Sequence, residues 1–149
     1  MRNSRMVPLA GGLVFLMAAP ALAADLLYLP NGVNASQADG GLADPVLTAE
    51  RTKIFVITRD KAGDTELHLE GIDNLVVLEG AATLVYGGDM KDAHMITEGE
   101  FRGTSLLGDS KSIEIKKDDI VQIPAGMAQW IKPHGQFRYA VFRVPGRKD

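Results

Sequence analysis

Apolar residues along this chain recur at every second position, not every third or fourth. Thr65-Glu66-Leu67-His68-Leu69 and Ser112-Ile113-Glu114-Ile115-Lys116 alternate, the period of a strand with two unlike faces. Residues 53–58 are β-branched and aromatic, and 74–78 are almost continuously apolar, as in a strand buried on both faces. Further strands are predicted at 81–86, 120–123, 129–132 and 137–144. Gly and Pro punctuate them: Glu70-Gly71, Glu79-Gly80, Gly87-Gly88 and Pro124-Ala125-Gly126. Residues 59–64 read as a turn, and 89–110, with Gly99, Gly103 and Gly108, as a long loop holding short strand pieces. No window sustains a helical repeat. Many short strands at close spacing predict an all-β chain, an antiparallel sandwich or barrel. No internal repeat appears, so one barrel is expected.

The ends are different in character. Arg2 and Arg5 precede an apolar run from Met6 to Ala19, and Pro20-Ala21-Leu22-Ala23 carries small residues where a signal peptidase reads. This predicts a signal peptide over 1–23, cut after Ala23, since the apolar run is shorter than the ~20 residues of a membrane span. The expected address is periplasmic or secreted, with no stable membrane span after processing. Residues 24–50 read as an N-terminal arm. Leu26-Leu27-Tyr28-Leu29 suits a short edge strand closed by Pro30-Asn31-Gly32, and 34–44 suits a loop or arm. The barrel is placed at 51–145 and a polar tail at 146–149.

Charge and cysteine content narrow the chemistry. Losing Arg2 and Arg5 takes the formal charge from −3 to −5, and an acidic chain without a basic stripe is a poor nucleic-acid binder. With no cysteine, neither a disulfide nor a thiolate metal site is available, and the fold must rely on packing. No Ser-His-Asp order and no phosphate loop is recognisable.

The most informative stretch runs from Asp118 to Trp130. An acidic turn leads into a short strand, then a Pro-Ala-Gly turn, then a second strand opening on Gln129 and Trp130. Pro124 cannot donate to a ladder and Gly126 tolerates positive φ. In this frame the sequence resembles the cupin superfamily of jelly-roll barrels over about 53–144. Asp118 takes the first glycine of the second cupin motif, five residues before Pro124, and Pro124-Ala125-Gly126 matches P-x-G. Gln129 takes the place of a metal-binding histidine, and Pro133 that of an asparagine. In the first motif Gly80 matches the closing glycine, Asp73 takes the glutamate position, His68 matches the second histidine and Glu66 takes the first.

The resemblance implies a quartet of metal ligands, Glu66, His68, Asp73 and Gln129, for a divalent cation (Mn, Fe, Ni or Zn). Such an oxygen-rich set favours the harder ions. It also implies a homodimer. Glu66 and His68, two apart, share one face of their strand. Glu66 and Asp73 are the candidate catalytic carboxylates. Tyr86, Trp130, Tyr139 and Arg102 are the candidate ligand-binding residues, the first three for their polar tips and Arg102, with Arg138, as a partner for a substrate carboxylate. Phe55 and Phe142 are expected in the core. His94 is placed in the long loop, and His134 on the surface.

Two functional readings stand. One is an exported cupin enzyme acting on a small polar metabolite, a metal-dependent isomerase, lyase or oxygenase. The other is a metal-free cupin that binds a small ligand or a partner protein without catalysis.

Overall fold

The computed structural model describes residues 51–146, together with two short strands, Ser36–Gln37 and Leu47–Ala49. The leader, the strand expected at 26–29 and residues 147–149 lie outside the described residues. In chain order the strands are β1 (Ser36–Gln37), β2 (Leu47–Ala49), β3 (Thr52–Arg59), β4 (Thr65–His68), β5 (Gly71–Glu79), β6 (Ala81–Tyr86) and β7 (Asp89–Lys91). They continue as β8 (His94–Thr97), β9 (Glu100–Gly103), β10 (Ser105–Leu107), β11 (Lys111–Lys116), β12 (Ile120–Ile123), β13 (Gln129–Pro133) and β14 (Phe137–Pro145).

These strands form two six-stranded sheets and a ribbon. The first sheet has the order β1-β3-β14-β5-β12, with β2 also on β3; the second is β11-β6-β13-β4-β9-β8; β7 pairs with β10. Apart from the parallel β1–β3 contact, every pairing is antiparallel. Neighbours in sequence cross between sheets, as in a jelly roll. The inner faces meet in a core of Phe55, Ile57, Leu75, Val77, Leu84, Ile131, Phe137 and Tyr139, among others. The expected all-β barrel is therefore present.

Strand parity decides what faces inward. In β5, Asp73, Leu75 and Val77 are buried while Asn74, Val76 and Leu78 are half-buried. The expectation that 74–78 is buried on both faces is corrected: only one face of β5 is covered by the opposite sheet. Arg59, expected in a turn, ends β3 and is buried, on the same face as Phe55 and Ile57. The loop expected at 89–110 contains four short strands, and β9 inserts into the second sheet beside β4.

The turns follow their sequence signals. Gly126 has φ 78° and Gly80 φ 79°, where a Cβ would meet the Gln136 carbonyl oxygen at 2.2 Å. Met127 N–H donates to the Pro124 carbonyl at 3.2 Å, closing the Pro-Ala-Gly turn, and Gly126 N–H donates to the His68 carbonyl at 2.8 Å. The turn thus fixes the backbone at the end of β4, where the site begins.

Candidate functional site

Between the sheets lies a cavity of about 220 Å³. Alternation supplies its walls. Lys53, Phe55, Ile57 and Arg59 reach it from β3, Asp73 and Leu75 from β5, and Tyr139, Val141 and Arg143 from β14. The facing sheet contributes Glu66, Glu100, Arg102, Gln129 and Ile131. One part of the wall is apolar and the other is densely ionic.

Register explains the ionic part. Glu66 stands opposite both Arg102 and Gln129, His68 opposite Glu100, and Arg143 opposite Asp73. Such cross-strand neighbours are within side-chain reach. Arg143 binds Asp73 twice, Nε to Oδ1 at 2.5 Å and Nη2 to Oδ2 at 2.9 Å. Its Nη2 also lies 2.8 Å from His68 Nε2, and its Nη1 3.5 Å from both Glu100 oxygens. His68 Nδ1 makes a short hydrogen bond to Glu100 Oε2. Gln129 Nε2 donates to Asp73 Oδ2 at 3.2 Å. Glu66 takes Arg59 Nη2 on Oε1 at 3.3 Å, and Arg102 Nη2 lies 3.8 Å from its Oε2. The contacts of Arg143 with His68 and Glu100, of Gln129 with Asp73 and of Arg59 with Glu66 cross from one sheet to the other and clamp them together.

The network sets the charge states. Burial opposes ionisation of Glu66, but His68, Arg102 and Arg59 outweigh it and hold its carboxyl at about 2. Burial also disfavours the His68 imidazolium, yet Glu100 and Glu66 raise its pKa above the ordinary value against the pull of Arg143. A neutral His68 ring donates from Nδ1 to Glu100 and accepts from Arg143 at Nε2. Protonation turns Nε2 into a donor, and Glu66 Oε2 stands 3.4 Å away to receive it. Burial pushes the Tyr139 phenol up, so it stays protonated beneath the Arg59 guanidinium, 5.8 Å from its ring centroid.

The structure brings together all four residues of the expected metal quartet, but it brings Arg143 with them. Both Asp73 oxygens and His68 Nε2 face that guanidinium. Gln129 turns its amide nitrogen, not its oxygen, toward Asp73, as the carboxylate charge requires. Among the described residues no group of three or more His, Asp and Glu is arranged to hold a metal ion. As placed, these donors do not fit a divalent cation: a guanidinium supplies the positive charge at their centre. The candidate catalytic carboxylates are likewise engaged, Asp73 by Arg143 and Gln129, and Glu66 at a pKa far below that of a general base working near neutrality.

Of the expected ligand-binding residues, Tyr139 and Arg102 line the cavity. Trp130 does not: it follows inward-facing Gln129, so alternation turns it outward, where its indole N–H donates to the Gly63 carbonyl at 2.7 Å and Lys132 Nζ caps its ring at 3.9 Å. Tyr86 points inward but packs against the core cluster, not the cavity. Phe55 lines cavity and core, whereas Phe142 is exposed. Arg138 is half-buried away from the cavity, and His94 and His134 are exposed. The residues that sequence reasoning missed are Arg59, Glu100 and Arg143. For two of them a signal existed: Phe55-x-Ile57-x-Arg59 and Tyr139-x-Val141-x-Arg143 place an arginine on an otherwise buried face.

No protein-family model matches the sequence, and no curated protein matches it. Solved structures do. The chain superposes on the hydroquinone 1,2-dioxygenase PnpCD, crystallised with Cd²⁺ and 4-hydroxybenzonitrile, with a TM-score of 0.55 at 12% identity, over 68% of this chain and 63% of that one. A hydroquinone 1,2-dioxygenase from Sphingomonas sp. TTNP3, with 4-hydroxybenzoate bound, gives 0.53 at 10% identity, over 69% and 65%. A cupin superfamily protein from Desulfitobacterium hafniense DCB-2 gives 0.46 at 15% identity, over 71% and 77%. The chain thus spans somewhat less than two thirds of either dioxygenase chain. At these identities the likeness is one of fold. With its two-sheet antiparallel barrel and its Pro-Ala-Gly turn at the motif position, the chain has a cupin-type jelly-roll fold.

Proposed function

We propose that this chain is a metal-free cupin that binds a small ligand between its sheets without catalysing a reaction. One observation carries the reading: the Arg143 guanidinium stands where the donors Asp73 and His68 converge, with Glu100 on its other side. A guanidinium satisfies carboxylates through fixed, directional hydrogen bonds. It offers no open coordination position and polarises no substrate oxygen as a Lewis acid does. The low pKa of Glu66 adds support, because a carboxylate near 2 takes up a proton poorly at neutral pH. The leader-like first 23 residues make an exported setting part of the proposal, checked by N-terminal sequencing of protein recovered from the cell envelope.

Metal analysis of the purified mature protein tests the reading, with melting curves recorded before and after adding Mn(II), Fe(II), Ni(II) or Zn(II). The expected result is far less than one cation per chain and an unchanged melting temperature. A stoichiometric cation, or a melting temperature that climbs with metal concentration, overturns the reading.

A further inference from the structure

The charges lining the cavity do not cancel locally. Lys53, Arg59, Arg102 and Arg143 face three carboxylates, Glu66, Asp73 and Glu100, an excess of one cation before any charge on His68 is counted. The excess is localised. Arg143 has two carboxylates near it, whereas Arg59 and Arg102 share the single carboxylate of Glu66, and Lys53 has no ion pair among the described residues. Arg59 and Arg102 are both buried, and Arg59 Nε has no hydrogen-bond partner. Lys53 is exposed, so the three guanidinium groups and three carboxylates inside balance in number, and the excess that favours an anion is the local one of Arg59 and Arg102 over Glu66.

A second unpaired group lines the same cavity, on the β13 side of Glu66 where Arg102 is on the β9 side. Gln129 is 4% exposed and its Oε1 accepts no hydrogen bond. Asp73 holds the amide with its nitrogen inward to the carboxylate, so Oε1 cannot exchange places with it. The site therefore offers cationic donors in one place and a lone neutral acceptor in another, with Phe55, Leu75 and Val141 as apolar wall. At about 220 Å³ the cavity is smaller than the ~300 Å³ at which drug-sized pockets begin.

From this we infer that the ligand is a small monocarboxylate carrying a hydroxyl or ammonium donor on a short apolar body. Its carboxylate sits on Arg102 and Arg59, and its donor meets Gln129 Oε1. The inference rests on the metal-free reading above and names the ligand class of that same site.

Calorimetry and thermal shift with three matched probes in metal-depleted buffer test it. 3-Hydroxybutyrate has both groups, butyrate lacks the hydroxyl, and butane-1,3-diol lacks the carboxylate. 3-Hydroxybutyrate is expected to bind at least about 10-fold tighter than either. Arg102→Gln is expected to weaken it about 10- to 100-fold while Arg102→Lys retains most of the affinity, and Gln129→Leu is expected to erase the preference over butyrate. Failure of the acid to bind, equal binding of the diol, or full affinity in a folded Arg102→Gln variant overturns the ligand class and leaves the metal-free reading standing. Binding of the acid only after Mn(II) is added overturns the metal-free reading itself. The three-probe comparison on the unmodified chain decides the matter even where a variant does not fold.

Discussion

Arg143 and Asp73 stand opposite each other on β14 and β5 and meet as a bidentate pair, Nε to Oδ1 at 2.5 Å and Nη2 to Oδ2 at 2.9 Å. Asp73 is almost wholly buried, so removing its partner strands a charge in the barrel. Arg143→Ala is expected to lower stability by about 3–5 kcal/mol, measured by urea unfolding. Adding Asp73→Asn to that variant is expected to restore part of the loss, because the stranded charge goes with it. The single variant also frees Asp73 and His68 Nε2. Ni(II) or Zn(II) is then expected to raise its melting temperature while leaving the unmodified chain unaffected. An equal metal response in both proteins would contradict the role given to the guanidinium.

Stability should depend on pH from both sides. Glu66 has its folded pKa depressed from 4.5 to about 2, so its contribution is complete above about 4.5 and is lost as pH falls toward 2. The shift corresponds to about 3 kcal/mol. Glu100, also depressed, acts in the same direction, its burial outweighed by His68. His68 works oppositely: its folded pKa is raised above 6.5, so its contribution is complete below 6.5 and is lost as pH rises through the folded value. Melting temperatures between pH 2 and 9 are expected to peak between about 4.5 and 6.5. Glu66→Gln should flatten the acid limb and, because Glu66 also helps to raise the His68 pKa, move the alkaline limb to lower pH.

Trp130 is expected to matter for packing and not for the ligand. Its indole N–H holds the Gly63 carbonyl in the turn between β3 and β4, on the far side of β13 from the cavity. Trp130→Phe keeps an aromatic ring but trims the pyrrole ring of the indole and with it that hydrogen bond, whose loss costs about 1 kcal/mol. Affinity for 3-hydroxybutyrate should remain within about twofold, equivalent to less than half a kcal/mol. A tenfold loss of affinity would place the indole in the site after all.

How much of this was legible in the sequence follows from how local each signal is. The edges of β6 and β12 and the start of β13 agree with the alternation and the Gly and Pro turns, because turn chemistry and strand parity act over a few residues. The grouping of Glu66, His68, Asp73 and Gln129 was legible only through the cupin frame, since Gln129 lies on β13, distant in sequence from the consecutive β4 and β5 that carry the others. What Arg143 does was not legible. Parity turns its side chain inward, but that it lands on Asp73 depends on the antiparallel register of β14 against β5. Glu100 was hidden further, because β9 is set by its pairing with β4 and β8 and not by any apolar pattern of its own.

The acidic turn offers a last test of the motif frame. Asp118 stands where the cupin pattern has glycine, and its backbone keeps a positive φ of 74°. Its N–H donates to the Val77 carbonyl at 3.0 Å, and its exposed side chain has no hydrogen-bond or ion-pair partner among the described residues. Left-handed geometry strains a residue with a Cβ, less so Asp than most. Glycine relieves the strain but gives the unfolded chain more freedom. The first effect should win narrowly, because the turn is held at both ends: Asp119 N–H donates to the Lys116 carbonyl, and Lys116 N–H to the Asp119 carboxylate. Asp118→Gly is expected to stabilise by about 0.5 kcal/mol, and Asp118→Val to destabilise by about 1–2 kcal/mol, since a β-branched residue fits positive φ worst. Chemical denaturation of the three proteins ranks them, and a valine variant as stable as the glycine one would mean that the turn does not hold this geometry in solution.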